Sequence, residues 1–379
     1  ARQCGGCQLK PRSYESQLKF KENKVYNNLR RIGGFTDIPF LPIMGMDEPW
    51  RYRNKAQFPF GKDKEGNIVT GFYAGRTHSI IPNRNCLLGV EVNEMTLNEI
   101  ISYMEENKVE PYDETTGKGL IRHVLIRYGF TTKEIMVCLI INGTSIPNAE
   151  ALCRQLAKIS GMTSITLNVN KKQTNVILGD EILPLWGRET ITDYIGDIKY
   201  QISPLSFYQV NPVQTVKLYQ TALEYARLDG NETVWDLYCG IGTIGLIASD
   251  KAKEVISVEL NPDAVKDAIV NAKRNGIKNV HFYQNDAGVF MRQMADEGES
   301  ADVVFMDPPR SGSDEKFLSS VVTLNPKRVV YVSCDPTTLA RDLKYLTKHG
   351  YSAVTAVPVD MFPATEHVET VVLLSKGEV

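Results

Sequence analysis

The runs Tyr331-Val-Ser-Cys334-Asp-Pro336 and His367-Val-Glu369-Thr370 place a thiol and a carboxylate about one strand apart near the C-terminus. Val329–Val332 reads as a buried strand, so Cys334 should emerge at its carboxyl end, where open α/β sheets hold their ligands. A thiol there can act as a nucleophile, and a carboxylate beside it can accept a proton. Each also has a plainer reading, since a strand-end cysteine is usually inert and a strand glutamate usually solvated. Upstream, Val234-Trp-Asp236-Leu-Tyr238-Cys-Gly240-Ile-Gly242-Thr-Ile-Gly245 follows an apolar strand and opens a helix, and Met306-Asp307-Pro-Pro-Arg310 ends a later strand.

These residues need a sheet to position them. Beyond Ser203 strand and helix alternate regularly: strands end near Tyr238, Leu260, Asn285, Asp307 and Cys334, with amphipathic segments such as Pro262 to Asn275 and Thr337 to His349 between them. This rhythm predicts an α/β, doubly wound parallel sheet with helices on both faces. Residues 42–200 carry short strands with turns and helical stretches near 91–107 and 147–159, a separate α+β domain. The spacing of Tyr14, Leu18, Val25, Leu29 and Ile32 predicts one amphipathic helix closed by Gly33-Gly34. The expected division is therefore 1–9, a cysteine segment of the central domain; 10–41, helix and linker; 42–200; and 201–379.

The 379 residues, 42% hydrophobic and 23% charged, suffice for a full core without disulfides, and no apolar run approaches the roughly 20 residues of a membrane span. A net charge of -2 argues against a polycationic nucleic-acid coat. Yet Lys10 to Arg31 holds seven Lys or Arg against two Glu, a helix that could face phosphate or simply be solvated. Seven cysteines with no secretory signal favour reduced thiols, a metal cluster or catalysis, and the cytoplasm as compartment. Cys138, Cys153 and Cys239 should be buried.

Gly240-x-Gly242-x-x-Gly245 also fits a dinucleotide turn, with Glu259 correctly spaced for ribose hydroxyls, or a tight turn with no ligand. Asp236 would repel a pyrophosphate but suits the cationic amino-acid end of S-adenosylmethionine, which disfavours an NAD oxidoreductase; it could also be a helix cap. Phe207-Tyr-Gln209-Val-Asn211, the Asp236 loop, Asp307-Pro-Pro-Arg310, Ser333-Cys334-Asp-Pro336 and His367-Val-Glu369-Thr370 resemble, in type and order, the motifs of the RNA 5-methyluridine methyltransferases. The resemblance covers nearly all of residues 200–379. It implies a Rossmann-like methyltransferase domain using S-adenosylmethionine. Glu259 then holds the ribose, Asp286 lies near the adenine, Tyr238 packs on the cofactor, and Gly240, Gly242 and Asp307 complete the pocket. Gln209 touches both cofactor and target base, Asp307 meets the uracil edge, and Phe207 fills the space of a flipped nucleotide, unless it is core.

Such chemistry needs few groups. Carbon 5 of uracil is a poor nucleophile until a thiolate adds to carbon 6 and pushes electron density into the ring. After methylation the carbon 5 proton must leave to a base, and the thiolate is then expelled. Cys334 is the expected nucleophile and Glu369 the expected base. A stacked base cannot offer both carbons to opposite partners, so base flipping is expected.

Cys4-Gly-Gly-Cys7 together with Cys86 resembles three of the four ligands of the [4Fe-4S] cluster in the ribosomal-RNA branch of the family. The pattern's remaining cysteine would lie before Ala1, as would the small RNA-binding barrel, the TRAM domain, that the family often carries. Zinc, or three free thiols, are the alternatives. Trp50-Arg51-Tyr-Arg53-Asn54-Lys55 mixes aromatic and basic residues suited to unpaired RNA, and Arg122-His123 could extend that surface. The expected function is methylation of uridines in 23S ribosomal RNA by a monomer, with no DNA or membrane partner. Its rivals are a transfer-RNA uracil-5-methyltransferase, an amino-group methyltransferase using Asp307-Pro-Pro-Arg310, and an iron-sulfur redox sensor that binds RNA with an inactive transferase domain.

Overall fold

The computed structural model describes residues 4–377. They form two compact units. One comprises the chain up to Pro11, Pro49–Tyr194 and Tyr200–Pro212; the other Arg12–Glu48, Ile195–Lys199 and Val213–Val379. Helix α1, Tyr14–Asn28, thus belongs with the C-terminal sheet.

The first unit is built on a seven-stranded sheet of β1 (Lys55–Lys62), β2 (Ile68–Tyr73), β3 (Ile80–Pro82), β4 (Ile121–Tyr128), β5 (Ile135–Ile141), β6 (Met162–Val169) and β7 (Glu181–Gly187), in the order β3-β2-β1-β4-β5-β6-β7. Only β5 and β6 pair in parallel. The unbroken apolar run of β5 is buried throughout, as expected of a strand covered on both faces. Helices α2 (Val92–Glu106) and α3 (Ala149–Leu156) supply Leu97, Ile100 and Leu152 to the same core. Cys138 and Cys153 are buried in this unit. A two-stranded sheet, β8 (Ile191–Ile195) with β9 (Ile198–Ile202), follows.

The second unit holds β10 (Thr233–Leu237), β11 (Glu254–Glu259), β12 (Val280–Gln284), β13 (Val303–Met306), β14 (Arg328–Ser333), β15 (Ser352–Val359) and β16 (Glu369–Ser375), in the order β12-β11-β10-β13-β14-β16-β15. β10 to β14 pair in parallel. The all-parallel expectation is corrected at one edge: β16 returns from β15 through a hairpin loop instead of a crossover helix, so it runs antiparallel to both β14 and β15. The helices that follow β11, β12 and β14 open on side-chain caps. Asn261 precedes Pro262–Arg274, Asp286 precedes Ala287–Asp296, and Asp335 precedes Pro336–Lys348.

Helix α1 departs from its expected amphipathicity. Its buried residues are Gln17, Lys21 and Val25, and it runs into a π turn, Leu29–Gly33, in which Ile32 is exposed. Lys21 is fully buried against Asp360, so it does not belong to a phosphate-facing stripe.

Candidate active site

Parallel strands deliver three carboxylates to one end of the second sheet. Asp236 lies within β10, Glu259 ends β11 and Asp307 follows β13. Asp236 is 1% exposed, and its Oδ2 accepts from the Gly245 backbone N–H at 2.8 Å, tying strand to helix. A Cβ on Gly245 would stand 2.6 Å from Ser257 Oγ and 2.9 Å from Asp236 Oδ2, so this close approach requires glycine. Gly240 and Gly242 have φ of +55° and +85°, the left-handed region that lets the loop turn back. Glu259 braces that loop, Oε2 accepting from Gly240 N at 3.0 Å and Oε1 from Asn261 N at 2.8 Å. Tyr238, at φ +66°, packs its ring 5.1 Å from that of Phe317. Asp286 caps its helix through Val289 N at 2.9 Å. Cys239 is buried.

The antiparallel strand brings the thiol and the last carboxylate together. Ser333 of β14 pairs with Thr370 of β16, so Cys334 directly follows and Glu369 directly precedes a paired position, near enough for the Glu369 charge to act on the thiol. Cys334 is half-buried and Glu369 5% exposed. Burial pushes the Cys334 thiol up to about 11, helped by the charges of Glu369 and Asp307, while Arg310 opposes the rise. Glu369 is raised to about 8 by burial and then by Asp307, with Arg310 again opposing. Burial raises Asp307 to about 7 and, with the nearby Asp307 and Glu259 charges, Asp236 to about 7. Three carboxyls and a thiol therefore share one desolvated strand end with Arg310 as the opposing cation, a concentration of shifted groups typical of functional sites.

The loop bearing Arg310 is anchored from helix Pro336–Lys348. Asp342 Oδ2 accepts from Ser313 N at 2.8 Å and from the Tyr331 hydroxyl at 2.6 Å, and Arg341 donates to the carbonyls of Ser311 and Ser313. These anchors were not legible in the sequence, because a lone Asp inside an amphipathic helix reads as solvated.

Phe207 and Gln209 lie in the first unit. Phe207 is 74% exposed, which excludes the core reading. Its segment is nonetheless fixed: buried Arg127 donates to the carbonyls of Pro204 and Ser206, and Asn54 donates to those of Gln209 and Val210 at 2.9 Å each. Asn54, expected in the RNA-facing run, is thus an internal brace. Arg51 likewise turns inward, onto the carbonyls of Cys86 and Gly89. Arg122 is 5% exposed; it donates to the carbonyls of Asn170 and Lys172 and stacks on Tyr112 at 4.5 Å. The expected place of Arg122 on an RNA surface is corrected by its burial, while Arg51, partly exposed, gives only some of its donors to carbonyls and one to the Asn85 side chain. Arg53 and Lys55 are half-buried, and burial, followed by the Arg127 and Arg53 charges, lowers Lys55 to about 8.

Cys4, Cys7 and Cys86 line one cavity of about 370 Å³ in the first unit, beside Arg53, Lys55 and Asn93. Burial raises Cys7, as do Cys86 and Cys4, while Lys10 and Arg53 pull it down. Among the described residues no group of three or more His, Cys, Asp or Glu side chains is gathered so as to hold a metal ion, so the expected iron-sulfur site is not shown.

Fold and strand-end geometry define the second unit as an α/β methyltransferase. A family model described as tRNA (Uracil-5-)-methyltransferase matches residues 52–377, and the chain belongs to this family of S-adenosylmethionine-dependent RNA uracil-5-methyltransferases. It is 50% identical over 377 residues to an uncharacterized RNA methyltransferase of Bacillus cereus, covering 99% of this chain and 82% of the relative. A counterpart from Halalkalibacterium halodurans is 49% identical over 373 residues, covering 98% and 81%. The crystal structure of Pyrococcus abyssi tRNA (uracil-54, C5)-methyltransferase with S-adenosyl-L-homocysteine superposes with a TM-score of 0.82 at 28% identity, covering 99% of this chain and 86% of that one. Among the described residues no helix is long and apolar enough to cross a membrane.

Proposed function

We propose that the protein methylates carbon 5 of uridines in 23S ribosomal RNA, in the cytoplasm, through a covalent adduct between Cys334 and carbon 6. The observation that carries this reading is the half-buried Cys334 thiol at the end of β14 with the buried Glu369 carboxyl, at the start of β16, close enough for its charge to act on that thiol. Cys334, its thiol proton lost to solvent, adds as the thiolate to carbon 6; carbon 5 takes the methyl group; Glu369 removes the carbon 5 proton; and the Cys334 thiolate leaves as the ring regains its double bond. Asp236, Glu259, Asp286 and the Gly240–Gly242 turn would hold S-adenosylmethionine, with Tyr238 packed on it. When bound, this cofactor supplies the methyl group and a positive charge that favours the ionised forms of nearby acids. Asp307 would orient the uracil edge, with Arg310 favouring the thiolate, and Phe207 and Gln209 would contact the extruded base.

Cys4, Cys7 and Cys86 would hold a [4Fe-4S] cluster that stiffens the first unit; Arg53 and Lys55, beside the cavity, would meet RNA. These cysteines support ribosomal RNA as substrate, since they resemble the ligand set of the ribosomal-RNA branch. Transfer RNA is the second reading, supported by the likeness to the Pyrococcus abyssi enzyme. Mapping 5-methyluridine by mass spectrometry in 23S and transfer RNA from cells lacking the protein decides between them: loss confined to 23S RNA is expected, and loss confined to transfer RNA would overturn the assignment.

A further inference from the structure

The hairpin loop that delivers Glu369 is gripped by helix α1. β15 ends at Val359, β16 opens at Glu369, and the residues between meet the helix at several points. Lys21 Nζ pairs with Asp360 Oδ1 and donates to the Phe362 carbonyl at 2.9 Å, with both charged side chains fully buried. Tyr14 donates to Asp360 Oδ2 at 2.8 Å while accepting from Met46 N at 2.8 Å. Gln17 Oε1 accepts from Ala364 N at 2.8 Å, and Lys24 donates to the Glu366 carbonyl at 3.1 Å. Ala364 is 1% exposed and has φ of +69°, a conformation that a residue with a Cβ keeps only where its surroundings over-determine it.

An apolar helix face would pack the same loop with no desolvation cost, so a buried ion pair is weak evidence for stability alone. What the polar face adds is direction. Each bond fixes a particular loop atom, and the loop runs straight into the residue whose carboxyl lies near Cys334.

We propose that Gln17 and Lys21 are positioning residues for Glu369: through Ala364, Asp360 and Phe362 they set the hairpin loop so that the carboxyl stays near the thiol. The proposal rests on Glu369 being the base that removes the carbon 5 proton.

The test compares Gln17→Ala, Gln17→Glu, which keeps an acceptor for Ala364 N, the paired replacement Lys21→Met with Asp360→Leu, which avoids an unpaired buried charge, and Glu369→Gln. RNA tritiated at carbon 5 reports proton removal, and 5-fluorouridine RNA reports attack and methylation without it. Folded Gln17→Ala and the paired variant should release tritium roughly 10–100-fold more slowly. Methylated RNA should accumulate on the protein, while KM and the rate of the fluorouridine adduct stay within about twofold of wild type. Gln17→Glu should recover most of the release rate. Wild-type tritium release by the folded Gln17→Ala and paired variants, with Glu369→Gln stalled, would overturn the positioning role alone, as would equal slowing of adduct formation and release. Wild-type release by Glu369→Gln would remove the base assignment and the proposal with it.

Discussion

The protein carries thiols in two settings, both raised chiefly by burial but with different charged neighbours. Cys334, in the second unit, sits among carboxyls that reinforce burial and hold it as a thiol. Cys7, in the first, has two other thiols near it but also Lys10 and Arg53, which favour thiolate. The Cys334 neighbours Glu369 and Asp307 add to burial with only Arg310 opposing, whereas at Cys7 burial and the two thiols outweigh both Lys10 and Arg53.

The contrast breaks most readily at the carboxyl. Glu369→Gln keeps the shape but cannot take the carbon 5 proton, so steady-state turnover should fall by about 10²–10⁴-fold with methylated RNA left on the protein. Normal turnover would mean that another base acts.

Alkylation sharpens it. With its thiol raised from 9.0 to about 11, Cys334 in the substrate-free protein should react with iodoacetamide at pH 8 roughly 100-fold more slowly than an ordinary cysteine, as followed by peptide mass mapping. Asp307→Asn should speed it. Rapid alkylation of Cys334 in the unmodified protein would contradict the protonated resting state.

On the other side, Cys86→Ser should lose bound iron and sulfide and weaken RNA binding about tenfold, with S-adenosylmethionine affinity unchanged in calorimetry. Unchanged RNA affinity in a folded, cluster-free variant would detach the cysteine cavity from RNA.

The smallest effect is on stability. Glu369 is raised from 4.5 to about 8, so the folded chain keeps a proton that the unfolded chain has lost, and this group's contribution falls as pH rises from about 4.5 to about 8. Glu369→Gln should thus stabilise the substrate-free protein at pH 8.5 by on the order of 2–4 kcal/mol. A lower melting temperature for the variant at that pH would contradict it.

The second sheet was legible where its strands are parallel. Expected ends near Tyr238, Leu260, Asn285, Asp307 and Cys334 fall one residue beyond the observed Leu237, Glu259, Gln284, Met306 and Ser333, because a Gly, Asn or Asp close to each end cuts the strand short. The run of β16 looks equally apolar, and nothing local encodes its direction; the antiparallel pairing that brings Glu369 near Cys334 is a long-range fact. Helix α1 was misread for a related reason. Period counts only apolar residues, and its buried face is made by Gln17 and Lys21, whose partners lie more than 300 residues away. Tyr14, Gln17 and Lys21 at i, i+3 and i+7 were the available signal. Arg122 failed as a surface cation because composition does not distinguish a guanidinium facing phosphate from one facing backbone carbonyls.

The most direct measurement is capture of the adduct. RNA carrying 5-fluorouridine, incubated with the protein and S-adenosylmethionine, should form a complex that survives denaturant, because fluorine does not leave as a proton does. Peptide mapping should place the nucleotide on Cys334, and Cys334→Ala should form none. An adduct of undiminished yield in Cys334→Ala, or one mapped to another cysteine, would contradict covalent catalysis by Cys334.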